Sequence, residues 1–212
     1  METNEEWISA IADEVYDLKI SFCIFEKIND LVKTNKHVQK QGGHYISWQN
    51  QNYDYRVATQ ISRLLDDTTN TEDRSLINFL KTIRDKKAIS FNSYSKLFVD
   101  TPISKEEIEG FFKSLTGLDS VDYCLCEMIN RDISNLKSIK IKPFRNKKIA
   151  HLTSAKIKEK DIPTYQNIND YINLLIDITS KYYLLLTAIQ KEWEPYGLDV
   201  ETVFTKPWIE PK

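Results

Sequence analysis

The chain has 212 residues, 41% of them hydrophobic, which suffices for one substantial core, and its 29 basic and 31 acidic side chains leave a formal charge of −2. Only 5 glycines and 6 prolines punctuate it, which argues against a sandwich or barrel built on many tight turns and for long helices. The acidic start METNEEWISA does not read as a secretory signal, and the longest apolar cluster, YYLLLTAI, falls far short of the roughly 20 residues a membrane span needs. The expectation is a cytoplasmic protein without a membrane partner. Cys23, Cys124 and Cys126 are an odd number, as suits a reduced compartment, and no Cys or His pair has ligand spacing. No metal and no cofactor are expected.

Trp7, Ile11, Val15, Leu18, Phe22, Phe25, Ile28 and Val32 recur at steps of three and four, which predicts a helix over 5–36. HVQKQGGH breaks it, with Gly42 and Gly43 as the turn. A second helix is expected over 45–67, burying Trp48, Val57, Ile61, Leu64 and Leu65 and carrying Arg56 and Arg63 on one side. RSLINFLKTIR predicts a short third helix, and AISFNSYSKLFVDTP after it reads as irregular, touching a partner surface or covering the bundle. Ser104 and Glu107 form a capping box for a helix that Gly117 ends. Residues 119–139 predict a long helix on Val121, Leu125, Ile129, Ile133 and Leu136, after which Pro143 kinks the chain or starts a new helix. The last long helix is predicted over 161–193, with Asp161 as its cap and Pro163 in its opening turn. Tyr182 and Tyr183 on it read as core or dimer contacts. Short connections and unsustained heptads favour an all-α, up-and-down bundle of about five to six helices. One bundle domain over 1–194 and a tail over 195–212, packed on the bundle or partly mobile, is the expected organisation.

The stretch KPFRNKKIAHL carries the chemistry. From Lys137 to Lys158 eight cations follow one another (Lys137, Lys140, Lys142, Arg145, Lys147, Lys148, Lys156 and Lys158) with no Asp or Glu between them. Such a face attracts phosphates even on an acidic protein, although a lysine run also serves simply as a solvated helix face. His151 adds a group that moves protons near neutral pH, and cations around it favour its neutral form. Arg145 supplies a permanently charged planar fork for a phosphate, and Asn146 a neutral donor and acceptor. These are parts for cleaving RNA by attack of a ribose 2′-hydroxyl on its own phosphate. On a continuous helix, however, Arg145 and His151 stand roughly 120° apart around the axis and about 9 Å apart along it. A wide cleft, or a second copy facing the first across a two-fold axis, accommodates that separation. The bland reading of His151 is a half-buried histidine packed near a helix end.

RNKKIAH, from Arg145 to His151, resembles the signature of the HEPN superfamily, and RNK…AHL, which runs on to Leu152, is similar to the abortive-infection, AbiU-like branch. ISRLLDD at 61–67 resembles that branch's second-helix motif with Leu65 inserted, so no function carries over to Arg63 or Asp66, which read as making structural ion pairs or helix-end contacts. The resemblance spans roughly 10–190. It implies a helical bundle, a homodimer with two motifs facing one composite cleft, and a metal-independent endoribonuclease of a phage-defence or toxin–antitoxin system, held by a cognate antitoxin protein. Arg145 and His151 would be the catalytic pair and Asn146 their polar partner. Lys142, Lys147 and Lys148 are assigned to RNA phosphates from charge alone. The alternative is a catalytically inactive HEPN module that binds RNA, a nucleotide or a partner protein through the same face. A helical scaffold or antitoxin-like partner is a third reading. His44 and His37 read as incidental loop histidines.

Overall fold

Helix α1 (Asn4–Thr34) forms where the apolar stripe predicts it, and Trp7, Ile11, Val15, Leu18, Phe22, Phe25 and Ile28 are buried along it. The structure, a computed structural model, describes residues 3–36, 39, 43–68, 73–120, 125–146 and 162–200, and no strand occurs among them. Thr3 caps α1. Its hydroxyl accepts from the Glu6 N–H at 3.1 Å, and its own N–H donates to the Glu6 carboxylate at 2.8 Å, which holds that carboxyl below its usual range.

Helix α2 (Gly43–Leu64) begins at Gly43, a residue expected in the turn, and ends before the predicted limit; Gly42 lies outside the described residues. Its buried stripe is Tyr53, Val57, Ile61 and Leu64. Trp48 does not join it and is 60% exposed. Nine residues separate Trp48 from Val57, and nine steps of about 100° turn through half a circle, so the two face opposite ways.

Ser75 caps α3 (Leu76–Asp85), accepting from the Asn78 N–H at 3.1 Å. The stretch expected to be irregular is instead helical over α4 (Phe91–Ser95) and a following 3-10 turn (Lys96–Phe98). Ser90 and Ser93 cap it reciprocally, and the Phe91 and Tyr94 rings lie 5.6 Å and 5.5 Å from Phe112, so the segment covers the bundle. Helix α5 (Lys105–Thr116) starts at the predicted Ser104–Glu107 box, and Gly117 ends it at φ 65°, where a side chain would be strained.

Helix α6 (Cys126–Lys137) is shorter than predicted, because residues 119–120 are not helical; Val121 and Cys124 lie outside the described residues. Leu125, Ile129, Ile133 and Leu136 are buried as expected. Pro143 starts a new turn, α7 (Lys142–Phe144), rather than kinking the old helix. Helix α8 (Tyr165–Thr187) is capped by Thr164 with Asn167; Asp161 lies outside the described residues, and Pro163 precedes the cap instead of entering the helix. The helix stops at Ala188, which takes φ 55° and donates its N–H to Leu184 at 2.9 Å, well before the predicted 193.

Six helices of ten residues or more (α1, α2, α3, α5, α6 and α8) are thus present among the described residues. None is long and apolar enough to cross a membrane. Helices α1 and α8 form the central pair. They run antiparallel, since the Tyr165 ring lies 4.7 Å from Phe25 whereas Lys191, just past α8, pairs with Asp13 at 2.6 Å. Helices α2 and α3 pack on α1, and α6 bridges α3 and α8. The segment after α8 then returns along α1. Lys19 meets Glu194 at 3.6 Å, and Lys27 donates to the Leu198 carbonyl at 2.9 Å. Asp13 to Lys27 spans about 21 Å of helix, and Lys191 to Leu198 about 23 Å of extended chain, so the two match in length.

One polar cluster sits inside this packing. Buried Asp132 of α6 accepts from the Tyr182 hydroxyl at 2.7 Å and from Lys181 at 2.5 Å, tying α6 to α8. Tyr182 is fully buried, as the core reading of that residue expects.

Candidate functional site

The segment carrying Arg145 is placed by apolar anchors. Ile139, Ile141 and Phe144 are all buried, and α7 rests on α2. The Arg145 N–H donates to the Ile141 carbonyl at 3.0 Å, so the turn fixes the residue immediately after Phe144. Arg145 itself is half-buried. Its Nε is buried with no hydrogen-bond partner, and the side chain makes no ion pair among the described residues. A guanidinium has five donors and gains greatly from a bidentate anion; here the Nε is enclosed as well as unpaired. Asn146 follows it and is exposed. His151, Lys147 and Lys148 lie outside the described residues.

The cationic run is not free of carboxylates in space, although it is in sequence. Lys142 pairs with Asp66 at 3.3 Å, and Lys137 with Asp67 at 2.7 Å. Lys81 of α3 also reaches Asp67. Hydrogen bonds from Lys137 and Lys81 hold the Asp67 carboxyl below its usual range. The end of α2 therefore draws part of the positive charge onto itself and leaves Arg145 as the cation of this turn without a carboxylate among the described residues. Lys142, 43% exposed, can still approach a phosphate only in competition with Asp66. Arg63, in the same loose motif, is bound to Glu14 at 2.5 Å, so Arg63 and Asp66 both make structural ion pairs. His44 is exposed in the first turn of α2, away from the core face.

Beside Phe144 opens a cavity of about 490 Å³ between α2 and the start of α8. Tyr53, Val57, Phe144, Ile162, Tyr165 and Ile168 form most of its wall, and Asp54 adds a carboxylate. Sequence reasoning did not single out these residues as a site. Tyr53 stacks on Phe25 with ring centres 3.9 Å apart and planes 12° from parallel, which locks its ring. Its hydroxyl is buried and unpartnered, and burial pushes the phenol far above its ordinary range, so it stays protonated. Burial and then the Asp54 charge push the Tyr165 phenol upward as well.

A family model described as AbiU2, of the HEPN class, matches residues 1–202. The chain belongs to the AbiU2 HEPN family. No curated protein and no solved structure matches it. The match covers the motif RNKKIAH and the helices around it, so the resemblance read from those seven residues holds over nearly the whole AbiU2 chain. An AbiU2 protein is an abortive-infection-related HEPN module, and the all-α bundle is consistent with that class.

Proposed function

We propose that this AbiU2 protein is a metal-independent endoribonuclease that acts as a homodimer in abortive infection and is restrained by a cognate antitoxin. The reading is carried by Arg145, a half-buried guanidinium without a carboxylate or a partner for Nε among the described residues, on the turn that opens the family motif. In this reaction His151 takes the proton from a ribose 2′-hydroxyl. The freed oxygen attacks the adjacent phosphorus, the bond to the 5′-oxygen breaks, and a 2′,3′-cyclic phosphate remains. The leaving oxygen picks up a proton from an acid in the cleft. Arg145 stabilises the charge that grows on the phosphate oxygens, and Asn146 orients the phosphate or the imidazole. Lys142, Lys147 and Lys148 hold flanking phosphates. Two motifs facing one another across a two-fold axis supply the width that one helix cannot.

Incubation of single-stranded RNA in EDTA is the test. Wild type should give products ending in cyclic phosphate, and His151→Ala should lower the rate by at least about 100-fold with an unchanged helical spectrum. Equal cleavage by both proteins removes the assignment. Salt-sensitive RNA binding without any product, over long incubation, makes the chain the catalytically inactive module instead.

A further inference from the structure

Three exposed rings stand together on one helix. Tyr45, Trp48 and Tyr55 of α2 are 49%, 60% and 40% exposed. At about 100° per residue they fall within roughly 80° of one another around the axis and span about 15 Å along it. They face away from buried Val57, Ile61 and Leu64. The Tyr45 and Trp48 rings lie 6.0 Å apart with their planes at 37°. Among the exposed residues of α2 there is no aliphatic side chain and no carboxylate. Asp54, the one acid of this helix, is half-buried, lines the cavity and stands about 120° round from Trp48. Exposed Arg56 donates its Nε to Gln60 at 3.3 Å and makes no ion pair among the described residues.

We infer that this outer face of α2 is a stacking platform for single-stranded RNA. The inference rests on the nuclease reading for its ligand class and adds a surface that reading does not use. Charge and composition favour RNA over a protein. A helix that docks in a protein groove lays down a continuous apolar stripe at steps of three, four and seven. Here the stripe of rings is interrupted by polar Asn52 and followed by polar Thr59, and no exposed acid opposes an anionic partner. Every base has a flat face to lay on an aromatic ring, so the three rings accept a strand of any sequence. Gln51 and Asn52, both exposed, offer amide donors and acceptors to base edges. Arg56 supplies positive charge for the phosphates between those bases. A duplex keeps its bases stacked inside, so the platform separates single strands from duplexes. The turn that opens the family motif, α7, packs on this same helix.

The experiment measures the affinity of the full chain for a short unstructured single-stranded RNA and for a duplex RNA of equal length, in EDTA, with cleavage followed on the same samples. Wild type should bind the single strand about tenfold more tightly than the duplex. Trp48→Ala should weaken single-strand binding about tenfold and leave duplex binding and the melting temperature unchanged, because the ring is exposed. Trp48→Phe, which keeps a ring, should lose no more than about threefold. Arg56→Gln should weaken binding a few-fold and flatten its dependence on salt. Equal single-strand affinity of wild type and Trp48→Ala, no preference for the single strand, or no RNA binding at all would overturn the platform. So would a change of Trp48→Ala from dimer to monomer in light scattering with its RNA affinity intact, which would give the face to a second copy. Weakened binding in Trp48→Ala with no product from wild type keeps the platform and removes the nuclease. Product from wild type with equal single-strand affinity in Trp48→Ala does the reverse.

Discussion

At Lys181 and Tyr182, α8 meets α6 across Asp132, whose carboxylate takes a hydrogen bond from each of them in a closed, buried crossing. At Tyr165 and Ile168 the same helix meets α2 and α7 around a cavity of about 490 Å³, where the Tyr53 hydroxyl has no partner. Arg145, immediately after the wall residue Phe144, likewise lacks a partner for its Nε. Where α8 meets α6 the ionic and phenolic groups are matched to each other, and where it meets α2 and α7 the enclosed Tyr53 hydroxyl and Arg145 Nε are not. A donor already satisfied inside the fold has little left to offer a substrate, so the proposed function draws on the second crossing and not the first.

The closed end should be the more fragile to polar loss. Asp132→Ala strands the Tyr182 hydroxyl and the Lys181 ammonium, so it should cost about 3 kcal/mol in denaturant unfolding. A loss below about 1 kcal/mol would mean that the crossing is not held by this carboxylate. At the open end, Thr164→Ala removes the cap of α8 and should cost about 1 kcal/mol by the same measurement. A cost as large as that of Asp132→Ala would erase the contrast. The smallest effect is expected at Asp67, which is 30% exposed and joined to Lys137 and Lys81. Its carboxyl is lower in the folded protein than in the unfolded chain. The stabilisation is therefore complete above the ordinary aspartate range near pH 4 and is lost as the pH falls through the folded value. Asp67→Asn should be less stable than wild type by about 0.5 kcal/mol at pH 7 and low salt, and the gap should close in acid and shrink in high salt.

Local signals were readable from the chain, and long-range pairing was not. The Ser104–Glu107 box and Gly117 act within a few residues, and the apolar stripes of α1 and α6 repeat on their own helices, so each is visible in sequence. Trp48 is an aromatic on the same helix as the stripe but lies half a turn away from it and is exposed. The cap of α8 carries no usual box signature, since Asn167, rather than Glu or Gln, answers Thr164, and no glycine marks the stop at Ala188. The run from Lys137 to Lys158 reads as uninterrupted positive charge, yet Asp66 and Asp67, distant in sequence, pair with Lys142 and Lys137. The family motif was legible as seven residues. The cavity was not, since Tyr53, Phe144 and Tyr165 come from three separate elements and only the fold gathers them.

The most direct test replaces Arg145 with Leu and follows unfolding and RNA cleavage on the same preparation. The account predicts a melting temperature equal to or above that of wild type, because the guanidinium has no partner among the described residues to lose, together with a drop in cleavage of about 100-fold or more. A melting temperature lowered by several degrees with RNA cleavage unchanged would show that Arg145 serves the fold and not the phosphate.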